Sequence, residues 1–449
     1  MSINKMEIDG LKRKVSFHNL GCKVNSYETQ AMSALFSEKG YEVVDFSEPA
    51  DICIINTCTV TNVADQKSRQ MLHKARKMNP DAFVVAVGCY VQADPVKAAE
   101  DAAVDLVIGN QGKKDIVDMI EKALGEDGYH NTVMDIRKER DIPYENFDTA
   151  EPVEHTRADI KIQDGCDRFC TYCLIPYVRG PIRSRRIPEV LKEVRHVAQK
   201  GYKEIVIAGI HISSYGRDIK NGEYLLDLLE AVHEIEGIER IRLGSLEPGI
   251  ITPDFAESIS RMPKICPHFH LSLQSGSATV LKRMNRHYTP EAYYEKAALL
   301  RTVYDDPALT TDVITGFPGE TKEEFEETYA FLEKVRFYET HIFPYSLRKG
   351  TKAAEMPGQI AADVKKERSQ ILSALNAANA LDFRKRRIGK ALEVLFEEEI
   401  TTAGIRYQTG RTKDYIRVAV KSDDQLKNQI CKVTVCGFLR EDMLLGDFI

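Results

Sequence analysis
The chain has 449 residues, 43 % of them hydrophobic, and a net charge of −6. That length allows about three domains, and the apolar share suits a packed core and excludes a disordered chain. The acidic balance does not advertise a nucleic-acid binder, and no long uncharged apolar run marks a membrane span, so a cytoplasmic protein with no membrane partner is expected.

The first segment alternates strand and helix patterns. Strands are expected at 15–20, 51–56, 83–87 and 104–108, and helices at 27–39, 62–78 and 113–124. This βα rhythm predicts a small parallel sheet. Residues 126–154 carry Gly, Pro and many charges with little periodicity, and read as a linker. Six further βα units follow, with strands at 159–163, 204–210, 240–246, 268–273, 310–315 and 341–346. Six units suit an incomplete barrel whose active site lies at the C-terminal strand ends. An amphipathic stretch at 362–384 leads to five short strand candidates, at 392–397, 406–410, 415–420, 430–435 and 443–449, which predict a small β-barrel. The fold class is therefore α/β. Its expected parts are an N-terminal sheet domain at 12–126, a linker at 127–151, a partial (β/α)6 barrel at 152–383 and a β-barrel at 384–449.

The ten cysteines carry the chemistry. A cytosolic chain keeps thiols reduced, so clustered Cys point to metal or redox work. Cys166, Cys170 and Cys173 form C-x3-C-x2-C just after a strand candidate. Three thiolates on one loop suit three irons of a 4Fe–4S cube and leave the fourth iron open to a small molecule. Zinc would need a fourth ligand nearby, and no Cys or His partner is in place. Cys22, Cys58 and Cys89 lie far apart in sequence, yet each follows a strand candidate. In a parallel sheet those points share one edge, where ligand sites form. A second cluster is one reading and three buried Cys the other, with Gly21 and Gly88 favouring exposed turns. Cys53 reads as core, and Cys266, Cys431 and Cys436 have no ligand spacing. A basic group, Arg179, Arg183, Arg185 and Arg186, follows the cysteine loop, and Arg384-Lys385-Arg386-Arg387 opens the last segment. Solvated charge is the plain alternative for each.

Tyr172 just before the third Cys completes the pattern of the radical S-adenosylmethionine (SAM) superfamily, which the chain resembles. Gly21-Cys22-Lys23-Val24-Asn25-Ser26-Tyr27-Glu28, Asn56-Thr57-Cys58 and Gly88-Cys89-Tyr90 resemble the N-terminal domain of the methylthiotransferases. Leu273-Gln274-Ser275-Gly276-Ser277 and Asp312-Val313-Ile314-Thr315-Gly316-Phe317-Pro318-Gly319-Glu320 resemble their radical domain, and the tail resembles a TRAM RNA-binding β-barrel. Lys23-Val24-Asn25 and Phe343-Pro344-Tyr345-Ser346 look like the branch that acts on tRNA bearing N6-threonylcarbamoyladenosine at position 37. Ser272 departs from the Pro often found there, with no evident chemical consequence.

The resemblance implies an enzyme with two 4Fe–4S clusters, on Cys166/Cys170/Cys173 and on Cys22/Cys58/Cys89. SAM would chelate the open iron of the first and yield a 5′-deoxyadenosyl radical, while the second would carry sulfur methylated by another SAM. It implies SAM or substrate contacts at Tyr172, Ser245, Glu247, Gln274, Gly316 and Pro318, and RNA contacts at Arg384, Lys385, Arg386 and Arg387. The implied partners are the anticodon stem-loop of tRNA and a reductant such as flavodoxin or ferredoxin, and a monomer is expected. No acid–base dyad is needed, and His18, His211 and His341 read as structural. The isopentenyladenosine enzyme, a ribosomal-protein modifier and a non-catalytic tRNA-binding scaffold are the alternatives.

Overall fold
The computed structural model describes residues 7–8, 11–125, 131–136, 142–147 and 156–449. The expected linker therefore falls partly outside the described residues. These form two compact units. The first is drawn from Met1–Val153, Lys161–Arg185 and Ser346–Ala354, and the second from Glu154–Ile160, Arg186–Tyr345 and Glu355–Ile449.

The first unit opens with a hairpin of β1 (Glu7–Ile8) and β2 (Leu11–Lys12). Then come β3 (Lys14–Asn19), α1 (Lys23–Glu38), β4 (Glu42–Val44), β5 (Ile52–Thr57), α2 (Asn62–Met78), β6 (Phe83–Gly88), α3 (Cys89–Ala93), α4 (Pro95–Ala99), β7 (Leu106–Ile108) and α5 (Ile116–Gly125). The strands form a parallel sheet in the order β4-β3-β5-β6-β7. Its alternate side chains feed two cores. Ile52, Ile54, Val85 and Val87 meet Met32 and Phe36 of α1 and Ile116 of α5; Cys53, Ile55, Val84 and Ala86 meet Leu72 and Ala75 of α2. A sheet covered on both faces explains the unbroken apolar runs in β5 and β6. Helix α1 begins four residues before the expected start because Cys22 itself is the N-cap residue. Within the expected linker, Asn131 bridges Val107 beside β7.

Strand β8 (Arg157–Asp164) leads through the cysteine loop to α6 (Ile175–Arg179) and β9 (Arg183–Ser184), which pairs antiparallel with the end of β8.

The second unit continues with α7 (Ile187–Gln199), β10 (Glu204–Gly209), α8 (Leu225–His233), β11 (Arg240–Leu243), α9 (Pro253–Ser260), β12 (His268–His270), α10 (Ala278–Arg283), α11 (Pro290–Val303), β13 (Ala308–Thr315), α12 (Lys322–Val335), β14 (Glu339–Pro344), α13 (Lys352–Glu355) and α14 (Ala362–Lys385). The strands β10 and β11 pair in parallel, as do β12, β13 and β14, and the parallel bridge Leu246–Leu271 joins the two sets. This is the expected open barrel of βα units. Gly276 is required by packing, since a Cβ there would lie 2.6 Å from Cβ of Phe331 and 2.8 Å from Cα of Thr328 on α12.

The tail is a closed barrel of β15 (Ala391–Thr402), β16 (Ile405–Thr412), β17 (Arg417–Lys421), β18 (Ile430–Arg440) and β19 (Met443–Phe448), in the order β15-β16-β17-β19-β18. Val394, Phe396, Val418, Val420, Val433 and Leu444 fill it, and Tyr338 and Phe383 of the preceding elements join the same core. Arg240 of β11 donates to the carbonyls of Arg411 and Glu393, and Arg242 to that of Lys413. Among the described residues no helix is long and apolar enough to cross a membrane.

Candidate active site
The cysteine loop depends on two glycines. Gly165 has φ +74°, and a Cβ there would fall 1.8 Å from the Pro181 carbonyl oxygen. Gly180 has φ +72° and closes α6, and its carbonyl accepts the Cys166 N–H at 3.0 Å. Phe169 takes a left-handed φ of 47° between the first two cysteines and sets its exposed ring edge-on to Tyr177. The Cys173 N–H donates to the Cys170 carbonyl at 3.0 Å, and the Ile175 N–H reaches Cys173 Sγ at 3.4 Å. Burial pushes the Cys166 thiol up to about 11, and Cys170 adds to that rise. Cys170 is buried, while Cys166, Tyr172 and Cys173 are half-buried.

The other three cysteines also meet. Cys22 follows β3, Cys58 follows β5 and Cys89 follows β6, three neighbouring strands whose ends share one edge. Gly21, at φ +111°, lets the chain pass Cys58: a Cβ would lie 3.0 Å from its Sγ. Burial pushes the Cys58 thiol up to about 11; Cys89 and Cys22 add to the rise, and Arg179 opposes it. Cys22 is exposed, but Cys58 and Cys89 are buried, so the turns are less open than Gly21 and Gly88 suggested. Asn25 Nδ2 donates to the Leu20 and Thr57 carbonyls, and its Oδ1 accepts from Arg179 at 2.6 Å. Asn110 Nδ2 reaches Cys89 Sγ at 3.5 Å. Asn25 lies in the motif that follows Cys22, whereas Asn110 carried no sequence signal.

In the second unit the expected SAM-side residues lie after β11, β12 and β13. Ser245 is exposed. Glu247 is buried, with His211 at 3.4 Å and Arg286 at 3.7 Å from its carboxylate. Its partners make His211 part of this polar group. Gln274 is buried at φ 74° and bonds through its backbone to Asp312 and Ile314. Gly316 has φ +66°; its N–H donates to Glu320 Oε2 at 2.7 Å, and the Lys365 stem lies over it. Pro318 is buried. Arg286, Glu320 and Arg368, which pairs with Glu320 at 2.5 Å, were not foreseen. His341, expected to be structural, is exposed and stacks on His270 with centroids 5.7 Å apart. With Asp312 these two bring ligand-capable atoms within 4.8 Å of one another.

The basic run at the end of α14 is largely occupied. Arg387 is buried, pairing with Asp306 at 2.6 Å and Asp414 at 2.8 Å, and this corrects its expected role in RNA contact. Arg386 pairs with Asp306 and Asp382, and Arg384 donates to the Glu441 carbonyl at 2.8 Å. Lys385 is exposed.

A three-thiol loop after the first strand of an open parallel barrel defines a radical SAM enzyme. Residues 14–109 match the model of an uncharacterised protein family, UPF0004, and residues 160–332 that of the Radical SAM superfamily. The chain is 43 % identical to the threonylcarbamoyladenosine tRNA methylthiotransferase MtaB of Bacillus subtilis (strain 168), over 94 % of this chain and 93 % of the relative. The corresponding MtaB of Aquifex aeolicus (strain VF5) is 42 % identical over 86 % and 93 %. A tRNA-2-methylthio-N(6)-dimethylallyladenosine synthase of Caldicellulosiruptor saccharolyticus is 35 % identical over 96 % and 91 %. Among solved structures, the radical SAM methyltransferase TsrM of Kitasatospora setae superposes with a TM-score of 0.57 at 15 % identity, over 74 % of this chain and 72 % of that one, and shares the fold. The chain belongs to the radical SAM tRNA methylthiotransferase family and is MtaB-like within it.

Proposed function
We propose that this enzyme transfers a methylthio group to C2 of N6-threonylcarbamoyladenosine at position 37 of tRNA, using two 4Fe–4S clusters and two SAM molecules. The observation that carries this is the convergence of Cys22, Cys58 and Cys89 at one sheet edge, in a chain that already holds Cys166, Cys170 and Cys173 on one loop. Both donor sets fit such a cluster: three soft thiols each, with buried Arg179 and Lys113 close to the Cys22/Cys58/Cys89 set. When bound, SAM on the loop cluster supplies a radical strong enough to open an adenine C2–H that acid–base chemistry cannot touch.

The chain's own residues prepare this. Gly165 and Gly180 let the loop close on itself, and the Ile175 N–H is directed at Cys173 sulfur. Burial of Cys58, Cys89 and Cys170 keeps water from part of each site. Tyr172 in the first unit, and Ser245, Glu247, Gln274, Gly316 and Pro318 in the second, remain the proposed SAM or substrate contacts, and Arg286 and His211 hold Glu247. Division into functional domains at 12–126, 152–383 and 384–449 belongs to the same reading. The relatives' names point to tRNA as substrate. The anticodon stem-loop is the favoured part, because its bases can be splayed out of the stack. Lys385 on the approach to the C-terminal barrel is the basic side chain best placed for phosphate. A flavodoxin or ferredoxin would supply electrons.

Nucleoside analysis of tRNA from a strain lacking this gene tests the reading. The methylthiolated form of N6-threonylcarbamoyladenosine should vanish and return on complementation. Loss of the isopentenyladenosine derivative instead would contradict it.

A further inference from the structure
A buried charge centre lies in the first unit beside the Cys22/Cys58/Cys89 edge. Glu28, Lys113, Lys161, Asp164, Arg179 and Arg183 are all nearly inaccessible to solvent. Arg179 contacts Glu28 at 2.7 Å and Asp164 at 3.0 Å. Lys161 contacts the same two carboxylates at 2.6 and 2.7 Å, Lys113 pairs with Glu28, and Arg183 lies 3.5 Å from Asp164. Among the described residues, four cations thus face two carboxylates. Half-buried Glu145 also lies near Lys113 and Lys161, and among the described residues the cations remain in excess. The Nε atoms of Arg179 and Arg183 are buried without a hydrogen-bond partner.

Unbalanced buried charge is strongly unfavourable unless an opposite charge meets it. Two asparagines lie between this centre and the thiols, and one of them donates to sulfur. Arg179 donates to Asn25 Oδ1, which lies 3.9 Å from Cys22 Sγ. Lys113 donates to Asn110 Oδ1 at 3.1 Å, and the same amide's Nδ2 reaches Cys89 Sγ at 3.5 Å. Asn110 therefore carries an N–H donor from the centre to one candidate ligand, Cys89, while Arg179 acts on Cys22 and Cys58 through space.

We propose that the Arg179–Lys113 centre, with Asn110 as its hydrogen-bonding link to Cys89, is the positioning and counter-charge seat of an anionic iron–sulfur cluster on Cys22, Cys58 and Cys89, and raises its reduction potential. The inference rests on the second-cluster reading above. Reduction adds one negative charge to a cluster already negative through its thiolates. Nearby cations and N–H donors to sulfur favour that reduced form.

The test uses full-length protein with Cys166, Cys170 and Cys173 changed to Ala, so that only the N-terminal site can hold iron. It is reconstituted anaerobically and titrated by EPR against electrode potential. Lys113→Met and Asn110→Ala should each shift the midpoint to more negative values. At a fixed potential near the midpoint, the ratio of reduced to oxidised cluster should fall about tenfold, which is ~59 mV for one electron. Glu28→Gln removes a carboxylate and should shift the midpoint the opposite way, a sign change that mere loss of packing does not produce. Arg179→Lys keeps the charge and should stay near the parent value. Should Lys113→Met fail to fold, Asn110→Ala and Glu28→Gln carry the same comparison. Iron retained with unmoved midpoints, or shifts of one sign in every variant, overturns the inference alone. A parent that binds no iron overturns the second-cluster reading and this inference with it.

Discussion
The two cysteine sets differ in what each residue is asked to do. Cys170 lies in the loop that the family ties to SAM, and Cys58 lies at the edge where the second set converges. Cys170→Ala should abolish deoxyadenosine formation from SAM. Cys58→Ala should leave that cleavage intact and stop methylthio transfer; methylthiolated product from Cys58→Ala would remove any sulfur-carrying role for the N-terminal set. At the basic run the residues also separate. Lys385→Glu should weaken tRNA binding and lower its dependence on salt by roughly the slope of one phosphate contact. Arg387→Glu should instead cost about 3 kcal/mol or more of stability, because it leaves buried Asp414 and half-buried Asp306 facing a like charge. Thermal melting beside tRNA-binding isotherms distinguishes the two outcomes. The sequence made the six cysteines legible because thiolate spacing and strand-end position are local signals. Asn25, Asn110 and Lys113 were not legible as a group: Lys113 meets Glu28 across 85 positions and Arg179 meets it across 151, and no local period encodes such a meeting.

At the scale of elements, the apolar runs of β5 and β6 were readable because both faces of that sheet are covered. Ends were less readable. Strand β11 stops at Leu243 and β12 at His270, three residues short of the expected ends, where the chain turns into the segments carrying Ser245 and Gln274. Helix α12 shows how such an end is held. Thr321 caps the Glu324 N–H, the Glu324 carboxylate accepts the Thr321 N–H, and Arg283 of α10 clamps that carboxylate at 2.6 and 2.8 Å. The Arg283 hydrogen bond, opposed by burial and aided by the Thr279 hydroxyl and the Thr321 N–H, holds Glu324 down at about 2. A depressed carboxylate stabilises the fold above its unfolded pKa of about 4.3 and loses that contribution as pH falls toward the folded value. Glu324→Gln should therefore speed amide exchange in the first turn of α12 relative to wild type at pH 7. That difference should shrink as pH is lowered toward 3, and a difference independent of pH would contradict the clamp.

For the whole molecule, the C-terminal barrel is bound into the second unit rather than appended to it. Arg240 and Arg242 of β11 donate to barrel carbonyls, and the rings of Tyr338 and Phe383 complete the barrel core. Deleting residues 384–449 should expose these groups and destabilise the radical domain along with any loss of RNA binding. Point substitution at Lys385 is therefore the cleaner probe of RNA contact. A truncated protein that melts like the full chain would show the barrel to be an independent module. The central claim is that one chain carries two thiol triplets, each seating its own cluster. Iron per chain after anaerobic reconstitution measures this most directly. Wild type should hold roughly eight irons, as expected for two four-iron cubes, and changing either Cys166, Cys170 and Cys173 or Cys22, Cys58 and Cys89 to Ala should leave about four. Wild-type iron near four, lost entirely with the first triplet and untouched by loss of the second, would contradict it.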